Sequence, residues 1–468
     1  VLPEFWLVVT GAVLLLLDTL THRLRRLYPW LATLGVLGAA VALASVTSRG
    51  SWGGTLDGSP LTLGIVEIGY LATLLAIWAA PAQLTWARLE GAEFYALILW
   101  ATAGISMMIR GKELLLLFVA LEVLSVALYG LAAFDRRQDR SLEGGLKYFL
   151  MGAFVSSFLL YGIALTYGET GSTSLAGIGE ALVTGQGSIG LLLIGVLLIF
   201  VAFGFKLGWV PFHAWAPDVY QGAPAASVPY LAVAPKVAAA AVLVRWAEIT
   251  VQSPISENAS SLLWILAVAS MVVGTLFALV QRDLKRMLAY SGIAHMGYLA
   301  IPLVSASGET WQPVVVYLAA YVLSNFAAFA LVGALVPEGS EGAPISALAG
   351  RASRQPWLAA SLAIAMLSLA GIPPTLGFLG KYLVFLDAIR NHHLGLAFVG
   401  VLTSLIGAAF YLRVIYFLYM KPELEEPRSP LASWEAYLAV SIAVVLVLLL
   451  GICPQPLFNW LAGILGSS

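Results

Sequence analysis

Apolar residues run through this chain in blocks of about 20, the length a helix needs to cross the hydrocarbon core of a bilayer. On that window, spans fall near 4–20, 30–46, 61–79, 93–109, 113–134, 147–167, 188–210, 225–246, 261–280, 287–304, 312–335, 357–386, 395–419 and 434–452. The pattern predicts an all-α polytopic membrane protein with about 14 transmembrane helices. The seventh and twelfth spans are interrupted by glycine and proline, in GFKLGWVP and AGIPPTLGFLGKYLVF. Proline lacks a backbone donor and blocks the preceding turn, so each interruption predicts a broken helix. In a membrane the freed carbonyls must find protein or water partners.

The loops test the count. Those after odd-numbered spans, from Arg23 to Arg428, carry 14 basic residues; those after even-numbered spans carry 4, Arg49, Arg110, Lys112 and Arg390. Under the positive-inside rule this split puts both termini on the non-cytoplasmic side and requires an even number of spans. Composition agrees. The chain is 60% hydrophobic and 10% charged, where a soluble domain carries about 25% charged residues. A net charge of −1 supplies no field for nucleic acid. The single cysteine, Cys453, excludes a disulfide framework and cysteine-ligated iron–sulfur clusters. The five histidines (His22, His213, His295, His392 and His393) lack the paired spacing of a haem site. Any redox centre is therefore expected in another chain, and no metal site is expected here. The first apolar run has no small-residue cleavage site after it and reads as a span, not a signal peptide.

Charges inside the spans change the picture most. A lysine or acid at the bilayer centre costs roughly 3 kcal/mol on insertion scales, so such residues face an interior, a wet cavity or a partner. Five stand out: Glu122 among leucines, Lys206 before Pro211, Lys236 after Pro235, His295 in LAYSGIAHMGYLAI, and Lys381 in the twelfth span. Lys206 and Lys381 are 175 residues apart, and Glu122 and His295 are 173 apart (381 − 206; 295 − 122). That near-constant offset predicts two five-span repeats, spans 4–8 and 9–13. Five is odd, so the repeats are inverted, and paired interrupted helices in inverted repeats mark the ion site of transporter folds. The expected divisions are 1–92 (three helices), 93–250 (first repeat), 251–420 (second repeat) and 421–468 (the last helix).

Each residue has a candidate role beside a plainer one. An ion pair between Glu122 and Lys206 is expected, whose opening frees the lysine to release its proton. Lys236 is too deep to snorkel. His295 is a candidate relay, or a hydrogen-bonded core histidine. Lys381 is a candidate terminal proton site with Asp387 as counter-charge. Lys147, on the cytoplasmic side, reads equally as a pathway residue or a snorkelling lysine. His213 is expected to line a path near the cytoplasmic surface. Arg413 does not deprotonate and reads as an electrostatic or structural partner. Asp18 and Glu67 read as interfacial or paired groups. The 14 tryptophans and 18 tyrosines are read as interfacial belts.

The motifs LEVLSVALYGLAAF around Glu122, GLKYFLMGAFVSSFLLYGIALTYG from Gly145, FKLGWVPFHAWAPDVYQGAP from Phe205, VAPKVAA around Lys236, DLKRMLAYSGIAHMGY from Asp283 and LSLAGIPPTLGFLGKYLVF from Leu367 cover spans five to twelve. In combination they resemble the antiporter-like membrane subunits of respiratory complex I (NADH–quinone oxidoreductase), and PDVYQGAP points to the N-type members. The resemblance implies fourteen helices, two inverted five-helix repeats with broken helices 7 and 12, and a mid-membrane axis of charged residues. It places proton-pathway roles on Glu122, Lys206, Lys236 and Lys381, with His295 as central relay and Lys147 nearby. It implies a proton-translocating membrane-arm subunit driven by quinone reduction elsewhere. NADH, FMN, iron–sulfur clusters and quinone are then expected in partner subunits, with no cofactor in this chain. The implied partners are the other membrane-arm subunits, among them sister antiporter-like subunits, and the lateral helix of a neighbouring subunit. No such amphipathic tail is expected after span 14 here. The implied location is a bacterial plasma membrane. Two other readings remain: a subunit of a cation/proton antiporter or membrane-bound hydrogenase, and a membrane scaffold without an ion path. The insertion cost of the mid-span charges argues against the scaffold.

Overall fold

A computed structural model describes residues 2–46, 54–185, 188–251, 253–306, 310–336, 342–422 and 433–466. Arg49, Arg428 and the His22 side chain lie outside the described residues. In chain order the helices are α1 (Leu2–Leu20), α2 (Tyr28–Ala44), α3 (Pro60–Ala87), α4 (Ala92–Arg110), α5 (Leu114–Ala132), α6 (Asp139–Thr170) and α7 (Leu175–Thr184). There follow α8 (Ile189–Leu207), α9 (Trp215–Gly222), α10 (Val228–Val251), α11 (Ser256–Val280), α12 (Leu284–Ser305) and α13 (Trp311–Leu335). The last are α14 (Arg351–Arg354), α15 (Pro356–Ala370), α16 (Leu376–Arg390), α17 (Leu394–Met420), α18 (Trp434–Ile452) and α19 (Gln455–Leu465). Thirteen described helices are long and apolar enough to cross a membrane. The fourteenth crossing is the split helix α15–α16. The fourteen spans read from hydropathy are thus present, with α3 and α6 longer than their apolar windows.

Helices α10, α12 and α13 are buried almost throughout and form the centre. They are apolar on most of every side, as a helix with no outward face must be, and the polar groups they carry face one another in the interior. The run Ala238–Ala241 in α10 lets neighbouring backbones close in. Helices α1, α6, α17 and α18 bury less than half of their surface positions and turn large apolar side chains such as Phe154, Phe398 and Leu405 outward.

The repeat is visible in backbone contacts at a constant spacing of 170 residues (284 − 114). Leu114 N donates to Thr173 O at 2.9 Å, and Leu284 N to Ala343 O at 2.7 Å. Leu175 N to Lys112 O and Ile345 N to Arg282 O are both 2.9 Å. A Cβ on Gly104 would meet Leu124 N at 2.8 Å, and one on Gly274 would meet Ala294 N at 2.5 Å, so α4 on α5 packs as α11 on α12. Each repeat is closed by an arginine of its fifth helix that caps the end of its first. Arg245 Nη1 donates to Gly111 O at 3.2 Å, and Arg413 Nη2 to Gln281 O at 2.7 Å. The two caps lie on opposite faces of the molecule. Arg413 shares the arginine-rich face with residues 21–27, 88–91, 133–138 and 282–286; Arg245 shares the other with Asp57.

Both breaks begin alike. Gly208 (φ 82°) and Gly371 (φ 83°) adopt left-handed backbone after α8 and α15. Their amides, and those of Trp209 and Ile372, return to the last turn: Gly208 N to Gly204 O at 2.9 Å, Gly371 N to Leu367 O at 3.1 Å. Glycine followed shortly by proline ends a helix this way without steric cost. The breaks are 163 residues apart (371 − 208), and this corrects the expected pairing of lysines. Lys206 precedes its break, whereas Lys381 follows its own. They are not equivalent positions, and their 175-residue spacing arises from different sides of two equivalent turns. Glu122 corresponds instead to Gly292 (122 + 170), one turn from His295.

Two short helices complete the bundle: α7 lies in the linker before span seven, and the 11-residue amphipathic α19 follows span 14. Helix α19 folds back onto α3, with Trp460 and Ile464 filling the space left by Gly64. The helices before the first repeat are bound to it by ion pairs. Arg110 Nη1 meets Glu4 Oε1 at 2.6 Å in the interior, and Arg245 Nη2 meets Asp57 Oδ2 at 3.3 Å.

Candidate functional site

Four ionisable side chains are buried along the middle of the molecule: Lys206, Lys236, His295 and Lys381, exposed by 3, 3, 5 and 6%. Lys206 occupies the last turn of α8. Its Nζ lies 5.3 Å from the Tyr129 ring centroid, 4.9 Å from Tyr148 and 5.5 Å from Phe205, and it has no hydrogen-bond partner among the described residues. Ring faces attract a cation by about 2 kcal/mol when water is excluded. The expected ion pair with Glu122 is not formed. Glu122 lies on the half-buried flank of α5 and accepts a hydrogen bond from Ser156. Lys206 meets α5 at Tyr129, two turns further along, and the Glu122 charge acts on the ammonium without a direct contact.

The turn after Gly208 runs at mid-depth. Trp209 Nε1 donates to Met296 O at 2.8 Å and Val210 N to Ser270 Oγ at 3.0 Å, both acceptors near the middles of their helices. His213 is half-buried between this break and α9.

Lys236 donates to the Tyr321 hydroxyl at 2.7 Å, Ala232 O at 3.0 Å and the Tyr220 hydroxyl at 3.3 Å. His295 sits between two phenols, its Nδ1 2.6 Å from Tyr317 and its Nε2 3.0 Å from Tyr411. The Tyr411 hydroxyl also bonds Ser291. Lys381 donates to Ala370 O at 3.0 Å, a carbonyl freed by the second break, and to Ser404 Oγ at 2.8 Å. Its Nζ stands 5.1 Å from the Tyr298 centroid.

Aromatic rings join these stations. Tyr148 stacks on Trp215 at 4.4 Å, and Trp215 meets Tyr220 edge-on at 5.9 Å. The His295 ring lies 5.7 Å from Tyr321 and 5.8 Å from Tyr298. The tyrosines along this axis correct the reading of the aromatics as interfacial belts. Tyr148, Tyr220, Tyr298, Tyr317, Tyr321 and Tyr411 are core residues. A signal was present in the sequence: Tyr317, Tyr321 and Asn325 recur every four residues, which places three polar groups on one face of α13. The Asn325 carboxamide is fully buried, one turn from Tyr321 and beside Gly292.

The auxiliary candidates do not join the axis. Lys147 is exposed and bound by Glu143 at 2.7 Å and Asp218 at 2.9 Å. Asp387 accepts from Asn391 at 3.1 Å and makes no ion pair with Lys381 among the described residues. Arg413 serves carbonyls, those of Leu279 at 3.0 Å and Gln281. Asp18 accepts from Tyr28 at 2.8 Å, and Glu67 faces outward. Among the described residues no group of three His, Cys, Asp or Glu side chains is arranged to hold a metal ion.

Two inverted repeats, two broken helices and a chain of buried cations define an antiporter-type membrane subunit. The NADH:quinone oxidoreductase/Mrp antiporter transmembrane family matches residues 111–407. NADH-quinone oxidoreductase subunit N of Trichlorobacter lovleyi is 38% identical over 438 residues, covering 91% of this chain and 88% of that one. The subunit N of Halorhodospira halophila is 38% identical, covering 99% and 98%. The chain belongs to the NADH-quinone oxidoreductase subunit N family. A chain in the structure of respiratory complex I from Thermus thermophilus with bound aureothin superposes with TM-score 0.82 at 36% identity over 98% of both chains. The Mrp complex from Dietzia shares the fold, with TM-score 0.83 at 19% identity over 98% of this chain and 95% of that one.

Proposed function

We propose that the chain is a proton-translocating membrane-arm subunit of an NADH–quinone oxidoreductase, in which protons pass along Lys206, Lys236, His295 and Lys381, with Glu122 at the edge of the first repeat. The observation that carries this reading is the axis itself. Three lysines and a histidine, each costly to bury, sit at mid-depth with hydroxyls and rings as their neighbours. A lysine held by a phenol, as Lys236 is by Tyr321, has a neighbour that both donates and accepts a proton. Oxidation of NADH and reduction of quinone would be carried out in partner subunits holding FMN and iron–sulfur clusters. The arginine-rich face is the cytoplasmic one on this reading, which leaves both termini on the other side of a bacterial plasma membrane. The proposed divisions are 1–92, 93–250, 251–420 and 421–468: a three-helix group, two five-span repeats and the last helix. Sister antiporter-like subunits and a neighbour's lateral helix are the proposed partners.

The fold is shared with antiporter complexes, so fold alone does not select between the readings; the 38% identity to subunit N sequences favours the oxidoreductase. The test is proton uptake by proteoliposomes holding the assembled complex, with NADH and quinone supplied. Lys236→Met should reduce protons moved per NADH at least about ten-fold for the step it serves. An unchanged ratio, with Lys381→Met also silent, would sink the reading. Co-purification with cation-antiporter subunits alone would favour the runner-up.

A further inference from the structure

Between the first break and α10 lies α9, eight residues long and bound to both repeats by one side chain. Asp218 Oδ2 accepts from Lys147 Nζ of α6 at 2.9 Å, and its Oδ1 accepts from Arg286 Nη1 of α12 at 2.6 Å. Gln221, one turn on, accepts from the same guanidinium at 3.1 Å and donates to Asp283 at 3.3 Å. The turn before Asp218 carries Trp215. It stacks on Tyr148, the residue after Lys147, with centroids 4.4 Å apart and planes within 5°. Trp215 Nε1 also donates to Phe205 O at 3.1 Å. Tyr148 and Phe205 are two of the three rings around Lys206 Nζ. Two small residues make the docking close: Gly144 lies under Asp218, and Gly222 lies against the Arg140 carbonyl.

We propose that Asp218 is a positioning residue for proton transfer at Lys206, and that Lys147 and Arg286 are its two anchors rather than proton carriers. Asp218 fixes α9 on α6, α9 fixes Trp215 on Tyr148, and that stack sets one wall of the Lys206 cage. The second anchor belongs to the other repeat, so a shift of α12 is felt at the cage of the first repeat through Asp218, with Gln221 as a second tie beside it. The three side chains are 36%, 45% and 26% exposed, and exposed ion pairs add little to stability. Their contribution is to geometry. The inference rests on the reading of Lys206 as a proton site.

The test uses the assembled complex in proteoliposomes, with complex yield, NADH oxidation and proton uptake measured together. Lys147→Arg keeps a cation that holds Asp218 but does not release its proton; it should leave proton uptake per NADH within about two-fold. Lys147→Met and Asp218→Asn should each lower it roughly ten-fold, the size of effect a misplaced reacting group produces. The two together should do no more than Asp218→Asn alone, because that substitution already removes the Lys147 contact. Asp218→Glu should recover part of the loss. If Lys147→Arg is as damaging as Lys147→Met at normal yield, Lys147 carries protons itself and the proposal falls. It falls also if the double variant multiplies the two single effects. If Asp218→Asn fails to assemble, Lys147→Arg against Lys147→Met decides alone. Lys206→Met separates the two levels: normal proton uptake in that variant overturns the functional reading, whatever the anchors do.

Discussion

Lys236 and Lys206 show two ways of holding an ammonium group in an apolar interior. Lys236 has three oxygen acceptors; Lys206 has ring faces and none. The first arrangement directs the proton along hydrogen bonds, while the second stabilises charge without offering an acceptor. A proton leaving Lys206 therefore needs a neighbour that comes within reach only after some movement. Tyr321→Phe removes the shortest of the Lys236 bonds, at 2.7 Å, and conserves volume. A hydrogen bond to a charged group is worth about 1.5–3 kcal/mol, so proton uptake should fall about ten-fold or more while assembly stays normal. Stopped-flow pH-indicator measurements on proteoliposomes would read this directly. Wild-type uptake would mean that the phenol is only packing. Sequence singled out the lysines because lysine is conspicuous among leucines. The phenols were hidden, because tyrosine is equally at home at a membrane surface and only the four-residue spacing in α13 set Tyr317 and Tyr321 apart.

At the scale of elements, the fourteen crossings were legible because a bilayer demands a fixed length of apolar helix and leaves few alternatives. The broken helices were legible for a related reason: glycine with proline close behind it has one common outcome inside an apolar run. What did not follow from the string was register. Lys206 and Lys381 look equivalent until Gly208 and Gly371 are superposed, and then they fall on opposite sides of the turn. Nor did polarity alone reveal α19, which is too short to span and packs only through a few side chains on α3. The two breaks differ in what surrounds them, which separates backbone strain from function. Alanine at either glycine is strained by about 1 kcal/mol, since both have φ near +82°. At Gly208 the new Cβ meets nothing closer than Ile293 at 3.7 Å; at Gly371 it lies 2.7 Å from Lys381 Cδ. Gly208→Ala and Gly371→Ala should lower the thermal unfolding midpoint by similar amounts, whereas Gly371→Ala alone should displace Lys381 and reduce proton uptake several-fold beyond that. Equal losses of transport would contradict the assignment of Lys381 to the axis.

The whole molecule is a pair of repeats with a three-helix bundle attached, and the attachment is electrostatic at the face opposite the arginine-rich one. Asp57 lies in the loop ahead of α3. Burial alone would raise its pKa, but hydrogen bonds from Thr62 and Ser59 and the charge of Arg245 outweigh burial and bring it down to about 2. A carboxyl with an ordinary pKa of about 3.9 when unfolded then adds stability that is complete above about pH 4 and is lost as pH falls toward 2. The difference in unfolding temperature between wild type and Asp57→Asn should therefore be constant from pH 8 to 5 and shrink below pH 4. A difference that grows on acidification would show that Asp57 is not held in its charged form. The pair also has a consequence for biosynthesis. Asp57 and Arg245 are 188 residues apart, so a ribosome adding 5–20 residues per second reaches the arginine about 10–40 s after the aspartate. For most of that interval α1 to α3 are made and Arg110 of α4 is already there to hold Glu4, while the Asp57 side still lacks its partner. The N-terminal bundle is tied to the first repeat through α4 first, and its second tie arrives only with α10.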